Sequence, residues 1–407
     1  MTESLRKTLQ IGEIIRVEIE KVAHGGHFIA RYQGAVIFVR HAIPGEIVEA
    51  EITGLEKSFF RGDVVAVIEP SPHRVAPPCK YSGTCGGCDF QHISIAHQRT
   101  LKSDVISEQF ARIAKMEIDV EVEEVSAPLH WRTRFAASTD NRGIAGFKAS
   151  RSNSVIPISS CPILIPEIDF PTLPTEKFAS NQRIDVAIAT DGSRSVATSA
   201  QREGRTSERA RPLLVEGKDQ LRYEVNDLKY QVSQSSFWQS NINAPATLVD
   251  AVLNFAELKF GDHVLDLYGG VGLFAAAALE HIGPGGRVDL VEGSTSATHD
   301  AALNFDGISN VFIHTGDVAR EIKKFKRADV VVLDPPRTGA GKPVIEKITK
   351  LFARAIIYIA CDPAALARDT TYLQEMGYHL EDIRAFDLFP MTHHIESVAL
   401  YTPREVS

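Results

Sequence analysis

Between residues 264 and 401 the chain carries short apolar runs at 264–268, 288–292, 330–334, 356–361 and 397–401. Stretches with helical periodicity at 273–281, 295–304 and 364–376 separate the first four. Strands that are apolar on both faces and joined by helices bury themselves as a parallel sheet covered by helices on either side. The C-terminal part therefore reads as an α/β, doubly wound, Rossmann-like domain. Ligands of such sheets sit outside the carboxyl ends of the strands.

The first strand runs into Tyr268-Gly269-Gly270-Val271-Gly272 and then a helix. A glycine turn there lets a ligand approach the backbone at the helix N-terminus. Dehydrogenases and methyltransferases both use such a turn. Glu292 ends the next strand, where it could accept hydrogen bonds from ribose hydroxyls or cap the turn before Ser294. Asp334-Pro335-Pro336-Arg337 follows a later strand and adds an acidic group and rigid prolines to the same crevice, or forms a turn only.

The five cysteines fall into two groups. Cys79-x5-Cys85-Gly-Gly-Cys88 and the distant Cys161-Pro162 supply four thiols, enough for zinc or an iron-sulfur cluster. The spacing is not the paired C-x2-C of a zinc ribbon, and Gly86-Gly87 lets the backbone wrap around a bulky group. A 4Fe-4S cluster is favoured over zinc or unligated cysteines. With all four irons capped by protein, its role would be structural.

Cys361 closes the fourth apolar run and precedes Asp362-Pro363, an N-cap followed by a first-turn proline. A helix N-terminus favours the nucleophilic thiolate, Asp362 opposes it, and the net expectation is a moderately activated thiol. An inert buried cysteine is the alternative. Glu396 stands just before the last run and could be a general base or an exposed surface glutamate. His393 and His394 read as loop or substrate contacts rather than as a metal pair.

Residues 12–70 alternate apolar and polar positions in short runs punctuated by Gly25-Gly26, Pro44-Gly45 and Gly62-Asp63, the pattern of a small five-stranded barrel. The segment resembles the TRAM domain, an OB-like RNA-binding module. Residues 94–116 read as a helix, β-type runs continue to about 230, and the polar stretch 193–211 reads as a mobile loop. The expected division is a barrel at 10–70, a central β-rich cluster-bearing domain at 71–229 and the α/β domain at 230–407. A net charge of −8 argues against a protein that coats nucleic acid by bulk electrostatics. Local basic patches at 131–151 and 320–327 remain available, as RNA contacts or as solvated faces. The first twenty residues hold no apolar run, so no membrane partner is expected, and a cytoplasmic location suits clustered thiols kept reduced.

Taken in order, Cys79-x5-Cys85-Gly-Gly-Cys88-x2-Gln91-His92, Cys161-Pro162, Phe237-Trp-Gln239-x-Asn241, Asp266-Leu-Tyr-Gly-Gly-Val-Gly272, Asp334-Pro-Pro-Arg337-x-Gly339, Cys361-Asp-Pro and His394-x-Glu396-Ser397 resemble the RNA uracil-5-methyltransferases, in the subgroup with a TRAM domain and an iron-sulfur cluster. The resemblance spans residues 10–401. It implies that Cys361 adds to C6 of uracil, that C5 takes the methyl group of S-adenosylmethionine, and that Glu396 removes the C5 proton. It also implies cofactor contacts from Gln239, Tyr268, Glu292, Asp317 and Asp334, and a target base everted from RNA. Asp362 stands where many members have Asn, and Leu273 where some have a polar residue. The expected substrate is 23S ribosomal RNA, with transfer RNA as the alternative, and the expected form is a monomer. The rivals are a non-catalytic RNA-binding protein on the same scaffold and a nicotinamide-dependent oxidoreductase.

Overall fold

The computed structural model describes residues 9–200 and 212–404. Strands β1 (Ile14–Ala23), β2 (His27–Tyr32), β3 (Ala35–Arg40), β4 (Ile47–Leu55) and β5 (Phe60–Glu69) close a barrel in the order β1-β2-β3-β5-β4. Alternation explains the closure: in β1, Ile15, Val17 and Ile19 point inward while Ile14 stays exposed. The cysteine loop follows, then helix α1 (Ile95–Gln109), extended by a π-helical turn at Phe110–Ala114.

Strand β6 (Val122–Glu124) precedes a central antiparallel sheet of β7 (Arg134–Thr139), β8 (Ala145–Lys148), β9 (Val155–Pro157), β10 (Gln182–Ile188), β11 (Arg194–Ala200) and β12 (Leu213–Gly217). The polar stretch expected as a mobile loop is thus a strand over its first part. Ser195-Val196-Ala197-Thr198 is buried between β10 and β12, so ladder pairing and β-branched packing override a polar composition. The rest of that expectation, 201–211, lies outside the described residues.

A hairpin of β13 (Gln220–Val225) and β14 (Leu228–Ser233) leads through α2 (Ala244–Ala256) into the α/β unit. Its parallel strands are β15 (His263–Leu267), β16 (Arg287–Glu292), β17 (Val311–Thr315), β18 (Val330–Leu333) and β19 (Ala355–Ala360). Helices α3 (Leu273–Ile282), α4 (Thr295–Asn304), α5 (Val318–Glu321), α6 (Lys342–Ile348) and α7 (Pro363–Glu375) cover them. The last strands are β20 (Tyr378–Asp387) and β21 (Glu396–Pro403), giving the order β17-β16-β15-β18-β19-β21-β20-β6. Every residue of β19 is buried, as a central strand requires, and each large aliphatic side chain there is worth about 1.5–3 kcal/mol of burial.

One continuous apolar core joins the barrel, α1 and one face of the large sheet, running from Ile37 and Phe60 through Leu101 and Ile106 to Leu333 and Ile356. The barrel is therefore seated on the sheet through α1. Among the described residues no helix is long and apolar enough to cross a membrane.

Candidate active site

The carboxyl ends of the parallel strands lie level. Leu267 is in register with both Val291 and Leu333, so the next residues along, Tyr268, Glu292 and Asp334, stand abreast. On β19 the chain runs on to Ala360, which pairs with Ser397 of the antiparallel β21. One further step brings Cys361 opposite Glu396. Thiol and carboxylate, 35 residues apart in sequence, become cross-strand neighbours because β21 is inserted antiparallel beside β19.

Glycine is required where the chain turns between β15 and α3. Gly272 has φ of +95°, and a Cβ there would collide with the Phe305 ring. Tyr268 holds φ of +60°, a left-handed conformation that costs about 1–2 kcal/mol in a residue with a side chain and is held by the strand end before it. Glu292 makes the turn cap that was one of its two expected roles. It accepts from Ser294 N–H at 2.6 Å, capping the turn, and from Gly270 N–H at 3.0 Å, tying the glycine turn to the next strand. Asp317 is exposed and caps α5, accepting from Arg320 N–H at 3.1 Å, and its charge reaches Tyr268. Gln239 is buried in a segment that Asn241 pins to the Leu388 carbonyl at 2.8 Å.

The site concentrates acid groups away from water. Burial raises Asp334 to about 7, with Glu292 adding to the effect. Glu396 is 4% exposed, which rules out the surface-glutamate reading. Burial holds its carboxyl well above the usual range, Asp334 adds to this, and Arg337 opposes it. The expected moderate activation of Cys361 is not met in the free site. Burial, reinforced by Glu396, Asp334 and Asp362, pushes the thiol up to about 12 against the pull of Arg337. The helix N-terminus does not rescue it because Asp362 itself takes the Ala365 N–H at 2.8 Å.

Cys361 lines a cavity of about 230 Å³ whose other walls come from far away in sequence: the β1–β2 turn of the barrel, Lys102 of α1, Arg337, and the 393–395 segment. Sequence reasoning missed several of these groups. Lys102 is fully buried and reaches Asp387 at 2.6 Å and the Phe389 carbonyl at 3.2 Å. Asp89, next to Cys88, accepts from His393 N–H at 2.9 Å and contacts its ring. Phe90 N–H donates to the Met391 carbonyl at 3.0 Å. No motif announces Lys102, Asp89 or Phe90; only the neighbouring Cys88 and the partner residue His393 were conspicuous.

Cys79, Cys85, Cys88 and Cys161 all line one large cavity, together with Arg132. Cys88 and Cys161 pack with Trp131, Ile163 and Met391. Burial raises Cys88 to about 12 and Cys161 to about 11. Arg132 is the cation facing both. Among the described residues no group of three or more His, Cys, Asp or Glu is arranged to hold a metal ion. Four thiols lining one cavity, beside the Gly86-Gly87 pair and Arg132, are the donor types that zinc or an iron-sulfur cluster takes. The basic patch at 131–151 is partly structural: Arg134 donates to the Gln234 and Ser236 carbonyls at 3.1 and 2.9 Å.

Residues 214–404 match the tRNA (uracil-5-)-methyltransferase family and residues 8–65 match the TRAM domain. A Streptomyces avermitilis protein described as an RNA methyltransferase is 38% identical, over 97% of this chain and 99% of its own. The 23S rRNA (uracil(1939)-C(5))-methyltransferase RlmD of Shewanella amazonensis is 31% identical, over 96% of each. The structure of Pyrococcus abyssi tRNA (uracil-54, C5)-methyltransferase, solved with S-adenosyl-L-homocysteine, superposes with a TM-score of 0.73 at 22% identity, covering 95% of this chain and 100% of that one, which is a likeness of fold.

Proposed function

The chain belongs to the RNA (uracil-5-)-methyltransferase family, and from that premise we propose that it methylates C5 of a uridine in cytoplasmic RNA, 23S ribosomal RNA in the first instance and transfer RNA as the alternative. The observation that carries the reading is the register of β19 and β21, which makes Cys361 and Glu396 neighbours at the ligand end of the sheet. Tyr268, Glu292 and Asp334, abreast at the ends of neighbouring strands, would hold the cofactor together with Gln239 and Asp317. S-adenosylmethionine, when bound, supplies an electrophilic methyl group on a positively charged sulfur.

Cys361 Sγ, once deprotonated, adds to C6 of the uracil ring and makes C5 nucleophilic. After C5 is methylated, Glu396 takes the C5 proton and the C6–S bond breaks, returning the electron pair to sulfur. Arg337, the cation facing both Cys361 and Glu396, favours the ionised forms that both steps need. Cys79, Cys85, Cys88 and Cys161 would hold a 4Fe-4S cluster that cross-links the loop to the central sheet.

The test maps 5-methyluridine by mass spectrometry in ribosomal and transfer RNA from cells lacking the gene, complemented with wild type, Cys361→Ala or Glu396→Gln. One methylated uridine is expected to disappear and to return only with wild type. Glu396→Gln should accumulate a denaturation-resistant protein–RNA adduct, because addition proceeds and elimination stalls. Unchanged methylation in both RNA pools would leave RNA binding as the better reading.

A further inference from the structure

The barrel touches the reaction centre. Its first turn, His24-Gly25-Gly26 between β1 and β2, forms one wall of the cavity that holds Cys361. Gly26, at φ of +76°, is buried so closely against Asp89 and His393 that a Cβ would collide with both side chains. The turn is therefore fixed by a glycine-only contact and is not resting loosely on the α/β domain. From this seat His24 reaches Asp362, the residue that follows the nucleophile, with Nε2 3.1 Å from Oδ2. Burial works against the Asp362 carboxylate, yet the hydrogen bond from His24 and the N–H groups of Ala365 and Ala364 hold it below the usual range. An ionised carboxylate only accepts, so His24 donates from Nε2.

We propose that His24 is a positioning residue for the nucleophile: it holds the Asp362 carboxylate at the head of α7, offsets through its Nε2–H the charge that bears on Cys361, and makes the barrel turn part of the pocket for the target base. The proposal rests on the reading of Cys361 as the nucleophile. Asp362 is one of three carboxyls that disfavour the thiolate, with Glu396 and Asp334, and Arg337 is the cation that opposes them. A partner on Asp362 supplies what Arg337 alone does not. The side chain of His24 is 39% exposed, open to the cavity rather than committed to the barrel core. A cavity of about 230 Å³ is smaller than the roughly 300–1,000 Å³ that drug-sized ligands occupy, in keeping with one everted base.

The experiment reads thiol reactivity without RNA, so its outcome is separate from that of the proposed methylation. Purified full-length protein is treated with iodoacetamide across a pH series, and alkylation is quantified on the peptide bearing Cys361. His24→Ala is expected to slow that alkylation by about 5–10-fold at pH 8, since one unit of thiol pKa is a tenfold change in thiolate. Asp362→Asn, which keeps a capping side chain, should speed it. Histidine removal should then have less than a twofold effect in the Asp362→Asn background. With RNA, His24→Ala should lower kcat by a similar factor and leave KM within about twofold, whereas a barrel acting only as an RNA clamp would raise KM. His24→Gln, which retains a donor, should recover part of the loss and serves as the second variant should His24→Ala fail to fold. Wild-type alkylation in His24→Ala, or effects of the two substitutions that simply multiply, would overturn the proposal. If the alkylation pattern holds but no RNA is methylated, the functional reading fails and the His24–Asp362 coupling stands.

Discussion

Replacing Lys102 with Met tests how the strand carrying the base is anchored. Lys102 and Asp387 are 1% and 2% exposed, and their 2.6 Å contact joins α1 to the end of β20, nine residues before Glu396. Removing one member of a buried pair leaves the other charged and uncompensated, which costs about 3–5 kcal/mol. At about 2.1 cal/mol/K of unfolding entropy per residue, cooperative melting of 407 residues turns that loss into a fall in Tm of about 4–6 °C. Calorimetry of the protein in its purified form is the assay. Replacing both partners, Lys102→Met with Asp387→Leu, should return stability to within about 1 kcal/mol of wild type, because no buried charge is then left over. A single variant that melts within about 1 °C of wild type, or a double variant no more stable than the single, would refute the reasoning.

Burial raises Asp266 to about 8, an effect that Ala275 N–H partly offsets and that Asp334 and Glu292 increase. Its folded pKa lies above the unfolded value of about 3.9, so the folded state keeps a proton the unfolded chain has shed. Wild type should then lose stability relative to Asp266→Asn by on the order of a few kcal/mol as pH rises from about 4 to 8, and parallel urea curves across that range would exclude it. Cys161→Ser should leave the protein with substoichiometric iron and sulfide and a lower Tm, measured by metal analysis and calorimetry on anaerobically purified protein. Full iron loading in that variant would remove Cys161 from the ligand set.

Much of this architecture is legible because it is written in local patterns. The runs at 264–268, 288–292, 330–334 and 356–361 are central strands buried on both faces, and their composition says so. The barrel announces itself by alternation. Strand β17 did not, because Val311-Phe-Ile-His-Thr315 lies at the sheet edge and is only partly buried. Strand β20 was hidden by Glu381, Asp382 and Arg384 and by a register shift between Leu380 and Asp382. In the site, Cys361 and Glu396 were visible as residue types at strand ends, whereas the state of the thiol depends on three carboxyls brought together from different strands and loops. His24, Asp89 and Lys102 carry no motif at all. Each acts on a partner roughly 300 residues away, and such distant pairings leave no periodic trace.

Strand β6 makes only three register pairs, Val122, Glu123 and Glu124 with Ala385, Phe386 and Asp387, and Arg384 clasps Glu123 through two 2.8 Å hydrogen bonds. This short strand caps the outer edge of a sheet whose other members are synthesised more than a hundred residues later. On the ribosome the lid is made before the box, and the sheet cannot finish until it docks back. A fragment beginning at residue 214 would emerge with the outer ladder of β20 bare, an invitation to edge-to-edge association. Such a fragment should sediment as oligomers, and a separate peptide covering residues 117–126 should disperse them.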